Sequence, residues 1–422
     1  MIDRTIAPAT TNKFHFQFIH PEKIILPNGI PLYFVEGGKQ EVFKLDVLYK
    51  AGNVYHQNPL VATFANALVG EGTSKKISKE INEAFDFEGA YFEKGLTKDL
   101  SILSLSGMSE TMGKILPLFY EVLVDSIFPE EEFKIALKNR KAKFQNNQKK
   151  VEYVCRNAFS ELLFGAQHPY GQKLVLEHFE TLRYEDVVQF YQNYFLKGEL
   201  VIVFAGKIDA ENKKTLIEIV SQLPAQQQIG TVNEPFSYIP KKEKIAIPKT
   251  VQSAIRFGKP TITYQNEDFA KLIVTNAVFG GYFGSRLMKN IREEKGYTYG
   301  IGSNVSPLLS TGILSIATEA GKDVTEATIH EIRYEIERMQ NQLVPEDELE
   351  MAKNYLLGSF LRSIDGPFSQ ASRIKNVILY QLDDTYYERY LSAIENTTSE
   401  EVLKMAQTYL TKDSFTELVV GS

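Results

Sequence analysis

The chain has 422 residues, with 47 Lys and Arg against 53 Asp and Glu and a formal net charge of −6. This length favours two or more domains, and the slight acidity argues against a cationic surface for nucleic acid or membranes. A single Cys excludes an intrachain disulfide framework and zinc sites built on several cysteines. The polar start and the lack of a long apolar run predict no signal peptide and no spanning helix. We therefore expect a cytoplasmic protein, with a periplasmic location as the alternative.

Apolar periodicity predicts both strands and helices in the first half of the chain. Asn28-Gly29 is typical of a hairpin turn between two short strands. Pro129, followed by acidic residues, predicts the start of a long charged helix. Strands are predicted over 23–35, 42–50 and 99–106, and helices over 59–69, 111–127 and 130–150.

Several short motifs occur twice, in the same order and about 210 residues apart. The pairs are GTS at 72 and GSR at 284, SILS at 101 and GILS at 312, and PEEEF at 129 and PEDEL at 345. In the second copy, helices are predicted over 266–280, 322–342 and 345–363. A Pro-rich polar stretch at 224–248 is typical of a linker. We infer an internal duplication, with domains at 1–228 and 229–422.

The predicted strands and helices form separate blocks, which favours an α+β fold. Each domain is expected to be a mainly antiparallel sheet with helices packed on one face.

Common catalytic motifs are absent from the sequence. No two of the six His residues lie four apart, so no helix offers the paired imidazoles of a helical zinc motif. There is no Gly-x-Ser-x-Gly elbow and no Walker-type phosphate loop. Cys155 is expected to be a buried, unreactive thiol, and His168 a turn residue in His-Pro-Tyr-Gly.

A series of longer motifs points to one family. They are Tyr49-Lys50-Ala51-Gly52, Glu71-Gly72-Thr73, Gly89-Ala90, Pro129-Glu130-Glu131-Glu132-Phe133, His168-Pro169-Tyr170-Gly171, Ser285-Arg286-Leu287, and the block from Ile291 to Tyr299. In this order they resemble the insulinase, pitrilysin and mitochondrial processing peptidase family of zinc peptidases, over nearly the whole chain. The resemblance implies the LuxS/MPP-like metallohydrolase fold, built from duplicated domains.

The same resemblance shows what this chain lacks. The family's His-x-x-Glu-His motif falls on Thr63, Asn66 and Ala67, which can neither bind zinc nor accept a proton from zinc-bound water. Its third ligand, a Glu, falls on Val154, with Glu152 two residues away. We therefore expect no metal, no cofactor and no peptidase activity in this chain alone.

In two-subunit members of the family, the partner of the zinc-bearing chain carries an Arg and a Tyr seven residues apart. Arg292 and Tyr299 match this pair, so the resemblance implies that they bind substrate beside zinc in another chain. An Arg can hold a peptide carboxylate or carbonyl, and a Tyr hydroxyl can donate to a carbonyl oxygen. On composition alone, Arg292 would be a solvated or ion-paired surface residue and Tyr299 an ordinary strand residue.

Three functions follow from these observations. The first is a catalytically incomplete subunit that forms the peptide chamber of a heterodimeric zinc metallopeptidase and pairs with a homologous zinc-bearing subunit. The second is a stand-alone peptide-binding or scaffold homodimer without peptidase activity. The third, an active peptidase with a displaced metal site such as His56 with Glu71, fits worst, because these residues do not share a helix face.

Overall fold

A computed structural model describes residues 18–422. Residues 1–17, on which the prediction of no signal peptide rests, lie outside the described residues. In the first half the strands are β1 (Glu22–Ile25), β2 (Pro31–Glu36), β3 (Val42–Tyr49), β4 (Tyr91–Leu96), β5 (Ser101–Met108) and β6 (Leu200–Gly206). The helices are α1 (Pro59–Leu68), α2 (Ser78–Phe87), α3 (Met112–Asp125), α4 (Glu130–Asn147), α5 (Val151–Phe164), α6 (Leu176–Thr181), α7 (Tyr184–Phe190) and α8 (Ala210–Val220).

The second half has a similar order of elements. Its strands are β7 (Lys242–Ala246), β8 (Gln252–Thr261), β9 (Thr298–Pro307), β10 (Gly312–Gly321) and β11 (Thr416–Gly421). Its helices are α9 (Phe269–Asn276), α10 (Thr325–Asn341), α11 (Glu346–Arg362), α12 (Pro367–Leu379), α13 (Tyr386–Asn396) and α14 (Ser399–Tyr409). Segments of π-helix cover Tyr191–Leu196, Ala277–Gly281 and Met288–Glu294. The helices and strands that the sequence predicts are all present, with ends shifted by a few residues.

The two sheets repeat one topology. The first has the strand order β1-β2-β6-β3-β5-β4, and the second has β7-β11-β8-β10-β9. The pairs β2–β6 and β7–β11 are parallel, and the other pairs are antiparallel. Apart from the added β1, each strand of one sheet therefore has a counterpart in the other. The predicted α+β class, with duplicated and mainly antiparallel sheets, is confirmed.

Each sheet buries one face under helices of its own half. On β3, Leu45 and Val47 are fully buried and join one apolar core with Phe64 of α1 and Phe119 of α3. Alternation along the strand sends Leu48 to the opposite face. The second sheet builds its own core in the same way, with α9, α10 and α11.

The opposite face of each sheet is covered by one helix from the other half. Helix α12 packs Ala371 and Ile374 against the first sheet, whose Val35 and Val203 are fully buried there. Helix α5 likewise packs Phe159 against the second sheet in a separate cluster of buried residues. The two halves therefore exchange one helix each.

Each exchanged helix forms an ion pair with the sheet that it covers. Helix α12 provides the cation of its pair, and α5 provides the carboxylate. Lys375 of α12 contacts the buried carboxylate of Asp46 on β3 at 2.6 Å. Glu152 of α5 lies 3.6 Å from Arg256 on β8. Both pairs join the two halves of the chain.

The segment between the halves is packed against the protein. The Tyr238 hydroxyl donates to the Ser414 carbonyl at 2.7 Å, and the Phe236 ring lies 4.9 Å from that of Phe164. The predicted linker, 224–248, is too long at its C-terminal end, because residues 242–246 form β7 beside β11. The boundary we place at residue 228 lies in the irregular stretch before that strand.

Among residues 18–422, no helix is both long enough and apolar enough to cross a bilayer.

Candidate functional site

The helix on which the resemblance places the degenerate zinc motif has its polar side chains hydrogen-bonded within the protein. Helix α1 begins at Pro59, where the Asn58 side chain accepts from the Leu60 backbone as an N-cap. Thr63 is buried, and its hydroxyl donates back to the Pro59 carbonyl at 2.9 Å. Asn66 is also buried, and its amide donates to a backbone carbonyl of β4, that of Gly95, at 3.0 Å.

The last turn of α1 binds a lysine. The Lys94 ammonium donates to the carbonyls of Ala67 at 2.6 Å and Val69 at 2.9 Å, and pairs with Glu71 at 2.9 Å. A cation at the C-terminal end of a helix is electrostatically favourable. Lys94 therefore ties β4 to the end of α1.

The residues at this place do not fit zinc. Thr63, Asn66 and Ala67 provide no imidazole or carboxylate, and both polar side chains already have partners within the protein. Nowhere in the described chain do three His, Cys, Asp or Glu side chains gather as a metal site. The displaced metal site considered above, His56 with Glu71, fits no better. His56 accepts a hydrogen bond from the Asn58 backbone at 3.0 Å, and Glu71 forms an ion pair with Lys94.

The aligned positions of the third ligand give no better fit. Val154 is partly buried in the apolar cluster under α5. Glu152 lies 3.4 Å from Arg156 and 3.6 Å from Arg256, so its carboxylate is paired with two arginines.

In the second half, a β-bulge at the start of β9 presents Tyr299. Thr298 pairs with Ala320 and Ile301 with Thr318, so two residues of β9 oppose Glu319 alone. Bulges change the direction of nearby side chains. Tyr299 is 93% exposed, and its hydroxyl has no hydrogen-bond partner within residues 18–422.

Two threonine hydroxyls hold this bulge. Thr298 donates to the Glu319 carbonyl at 2.7 Å and accepts from the Gly300 amide at 3.1 Å. The Thr318 hydroxyl lies 2.9 Å from the Gly300 carbonyl oxygen and 2.8 Å from the Thr298 hydroxyl, and its single hydrogen can be donated to either. The direction of Tyr299 is therefore set by a hydrogen-bonded network on the two strands.

Arg292 projects from the π-helix that precedes β9. Ile291 is fully buried, and the Asn290 amide donates to Glu331 at 2.9 Å and Glu335 at 2.7 Å on α10. The i→i−5 bond from the Lys295 amide to the Asn290 carbonyl, at 2.9 Å, closes the wide turn. Such turns occur often at functional sites.

The structure brings Arg292 and Tyr299 together. The guanidinium carbon of Arg292 lies 4.5 Å from the ring centre of Phe283 and 5.7 Å from that of Tyr299. No carboxylate of the described chain lies within ion-pair distance of Arg292. We call Phe283, Arg292 and Tyr299 the arginine–aromatic cluster.

A cavity of about 380 Å³ adjoins Tyr299. It is lined by α5, β8, β9 and β10, so both halves contribute to it. Cys155 lies in its wall, and burial raises the pKa of its thiol to about 12. The thiol is therefore protonated at neutral pH, as expected for an unreactive cysteine.

His168 has a structural environment. It precedes a short 3₁₀ turn, Pro169–Gly171, and its Nδ1 accepts from the Tyr170 amide at 3.1 Å. Its Nε2 lies 3.1 Å from the Glu234 carbonyl, so both ring nitrogens face backbone atoms.

Sequence reasoning missed Phe283 and the two threonines of the bulge. Phe283 lies in a Gly-rich turn, between Gly280 and Gly284. A large apolar residue between Tyr282 and Gly284, outside any periodic apolar pattern, is the signal that could have indicated it.

Comparison with known proteins supports the family resemblance. Residues 181–356 match the family model described as Peptidase M16 inactive domain. That part of the chain is similar to the inactive domain of M16 peptidases. The sequence resemblance to these zinc peptidases is thereby confirmed.

Proteins of related sequence align with most of this chain. It is 23% identical over 374 residues to the "uncharacterized zinc protease YmxG" of Bacillus subtilis, covering 87% of this chain and 90% of that protein. It is 22% identical over 395 residues to the mitochondrial-processing peptidase subunit beta of Neurospora crassa, covering 86% of this chain and 79% of that protein. A crystal structure of a peptidase M16 inactive domain from Pseudomonas fluorescens superposes on this chain with a TM-score of 0.88, at 23% identity. The superposition covers 95% of this chain and 98% of that one.

Proposed function

We propose that this chain is the catalytically incomplete subunit of a two-subunit zinc metallopeptidase. It forms part of the peptide chamber and supplies Arg292 and Tyr299 to a homologous partner that carries the zinc. Alone, it has no peptidase activity and binds no metal. The proposed location is the cytoplasm.

The observation that carries this proposal is the state of Arg292. Its guanidinium rests on aromatic rings and has no carboxylate partner in the described chain. A planar guanidinium with free N–H groups can donate two parallel hydrogen bonds to a peptide carbonyl or carboxylate. The exposed Tyr299 hydroxyl can donate to a carbonyl oxygen of the same peptide.

The sheet beside the cluster offers a place for an extended peptide. Among residues 18–422, strand β9 is the last strand of its sheet and pairs only with β10. A peptide can add to such an edge through main-chain hydrogen bonds. Tyr299 lies on this strand, so a peptide added there would run past the cluster.

A co-purification from the native host tests the proposal. A partner with an intact His-x-x-Glu-His motif should elute with this chain, and the eluate should cleave an unstructured peptide in a chelator-sensitive way. A lone chain without cleavage would favour the peptide-binding scaffold instead.

Arg292→Ala tests the site within that complex. Loss of a charge-assisted hydrogen bond should slow peptide cleavage roughly tenfold or more, with folding and pairing intact. Lys289→Ala is the matched control, because Lys289 is an exposed cation on the same π-helix. A normal cleavage rate in the Arg292→Ala complex would show that the site assignment is wrong.

A further inference from the structure

We infer that Phe283 is a positioning residue for Arg292. Its ring holds the guanidinium so that the N–H groups stay free and face the peptide. This inference rests on the proposed function, since it concerns how Arg292 binds substrate.

The turn that carries Phe283 is fixed on both sides. The Tyr282 ring stacks on Tyr355, with ring centres 4.9 Å apart. Arg286 is buried and forms a two-point ion pair with Glu348, at 2.9 and 3.0 Å. Phe283 therefore extends from a turn with little freedom to move.

The ring of Phe283 has little part in the core. It is 62% exposed, so burial explains only a small part of its presence. The ring forms a cation–π contact with Arg292, whose guanidinium carbon lies 4.5 Å from the ring centre. The Tyr299 ring is farther away, at 5.7 Å, so Phe283 is the closer aromatic support.

An aromatic support differs from a salt bridge in what it leaves free. A carboxylate partner would occupy the N–H groups of Arg292, and substrate would have to displace it. A ring attracts the cation through its face and accepts no in-plane hydrogen bond. Phe283 therefore restrains the charge without consuming its donors, and Tyr299 keeps its hydroxyl for the peptide.

The test measures the affinity of a fluorescein-labelled, unstructured peptide of about 15 residues for the full chain. Phe283→Ala should weaken binding roughly threefold to fivefold, the range of an exposed cation–π contact. Phe283→Tyr keeps the ring and should bind like the wild type. Phe87→Ala removes a still more exposed Phe on α2 and should change nothing.

A double variant separates positioning from a general surface effect. Phe283→Ala combined with Arg292→Ala should bind no more weakly than Arg292→Ala alone, because Phe283 acts through Arg292. Additive losses, or an unaffected Phe283→Ala variant beside a weakened Arg292→Ala variant, would overturn this inference only. If Arg292→Ala itself leaves affinity unchanged, the proposed function fails.

Discussion

Helices α1 and α9 occupy corresponding places in the two halves. In the chain, α1 lies between β3 and the edge strand β4, and α9 lies between β8 and the edge strand β9. Each helix contains a hydrogen bond from a threonine hydroxyl to its own backbone. In α1 the Thr63 hydroxyl donates to the carbonyl of Pro59, four residues earlier, at 2.9 Å. In α9 the fully buried Thr275 does the same to Lys271, also at 2.9 Å. In both helices a buried threonine thus bonds back to the preceding turn.

Each helix also has an asparagine that bonds to the edge strand of its own sheet. Asn66 donates to Gly95 on the edge strand β4 at 3.0 Å, and Asn276 donates to Ser303 on the edge strand β9 at 3.3 Å. Both tie a helix to its sheet. Arg292 and Tyr299 differ from all of these residues, because their polar groups have no partner within the described protein. The polar side chains of α1 are therefore used within the protein, whereas those of Arg292 and Tyr299 are available for the peptide binding that we propose.

The largest expected effect tests whether α1 is a packing helix whose polar side chains are hydrogen-bonded within the protein. Asn66→Glu would bury a carboxylate facing the carbonyl of Gly95, and should lower the free energy of unfolding by about 3–5 kcal/mol. Urea denaturation measures this loss. Asn82→Glu, at an exposed position on α2, should stay within about 0.5 kcal/mol of the wild type. An unchanged midpoint for Asn66→Glu would show that α1 is not a packing helix.

A smaller effect is expected at the β9 bulge. Thr298→Val removes a hydroxyl that bonds to Gly300, Glu319 and Thr318, and should cost about 1–2 kcal/mol of stability. It should also weaken peptide binding by displacing Tyr299. Thr298→Ser keeps the hydroxyl and should retain both properties. Equal losses in the two variants would argue against the hydrogen bonds as the cause.

Tyr299→Phe should affect peptide processing alone. The side chain is 93% exposed, so unfolding should be unchanged, while cleavage by the complex should fall about fivefold with the lost hydroxyl, on the scale of one hydrogen bond. Tyr297→Phe, at a partly buried neighbour, serves as the control. A wild-type rate for Tyr299→Phe would remove the hydroxyl from the proposed site.

The smallest expected effect is no effect. Treating the purified chain with a chelator should leave its melting temperature unchanged, because Thr63, Asn66 and Ala67 of α1 offer no zinc ligand. Metal analysis of the same sample should find far less than one zinc per chain. A lower melting temperature after chelation would mean that a metal stabilises the fold.

The sequence predicts local structure well, because local patterns determine it. Alternation over 42–50 and helical spacing over 59–69 and 345–363 correspond to β3, α1 and α11. The repeated motifs also predict the duplicated topology. The helix exchange could not be predicted, since the apolar side of α5 gives no sign of which half it covers.

The site was predictable only in part. Arg292 and Tyr299 follow from the family resemblance, and the structure places them near each other. The role of Phe283 depends on a contact across a turn, and the bulge depends on register between strands. Neither contact leaves a periodic signal in a single sequence.

The helix exchange also determines how the chain can be cut. Residues 181–356, the part that matches the family model, exclude both α5 and α12 and end before β11. A truncated protein with these ends would expose the face of the second sheet that α5 covers, and would lack a central strand. The two halves, in contrast, should reassemble as separate polypeptides nicked near residue 228, because the contacts that unite them do not depend on the peptide bond between them.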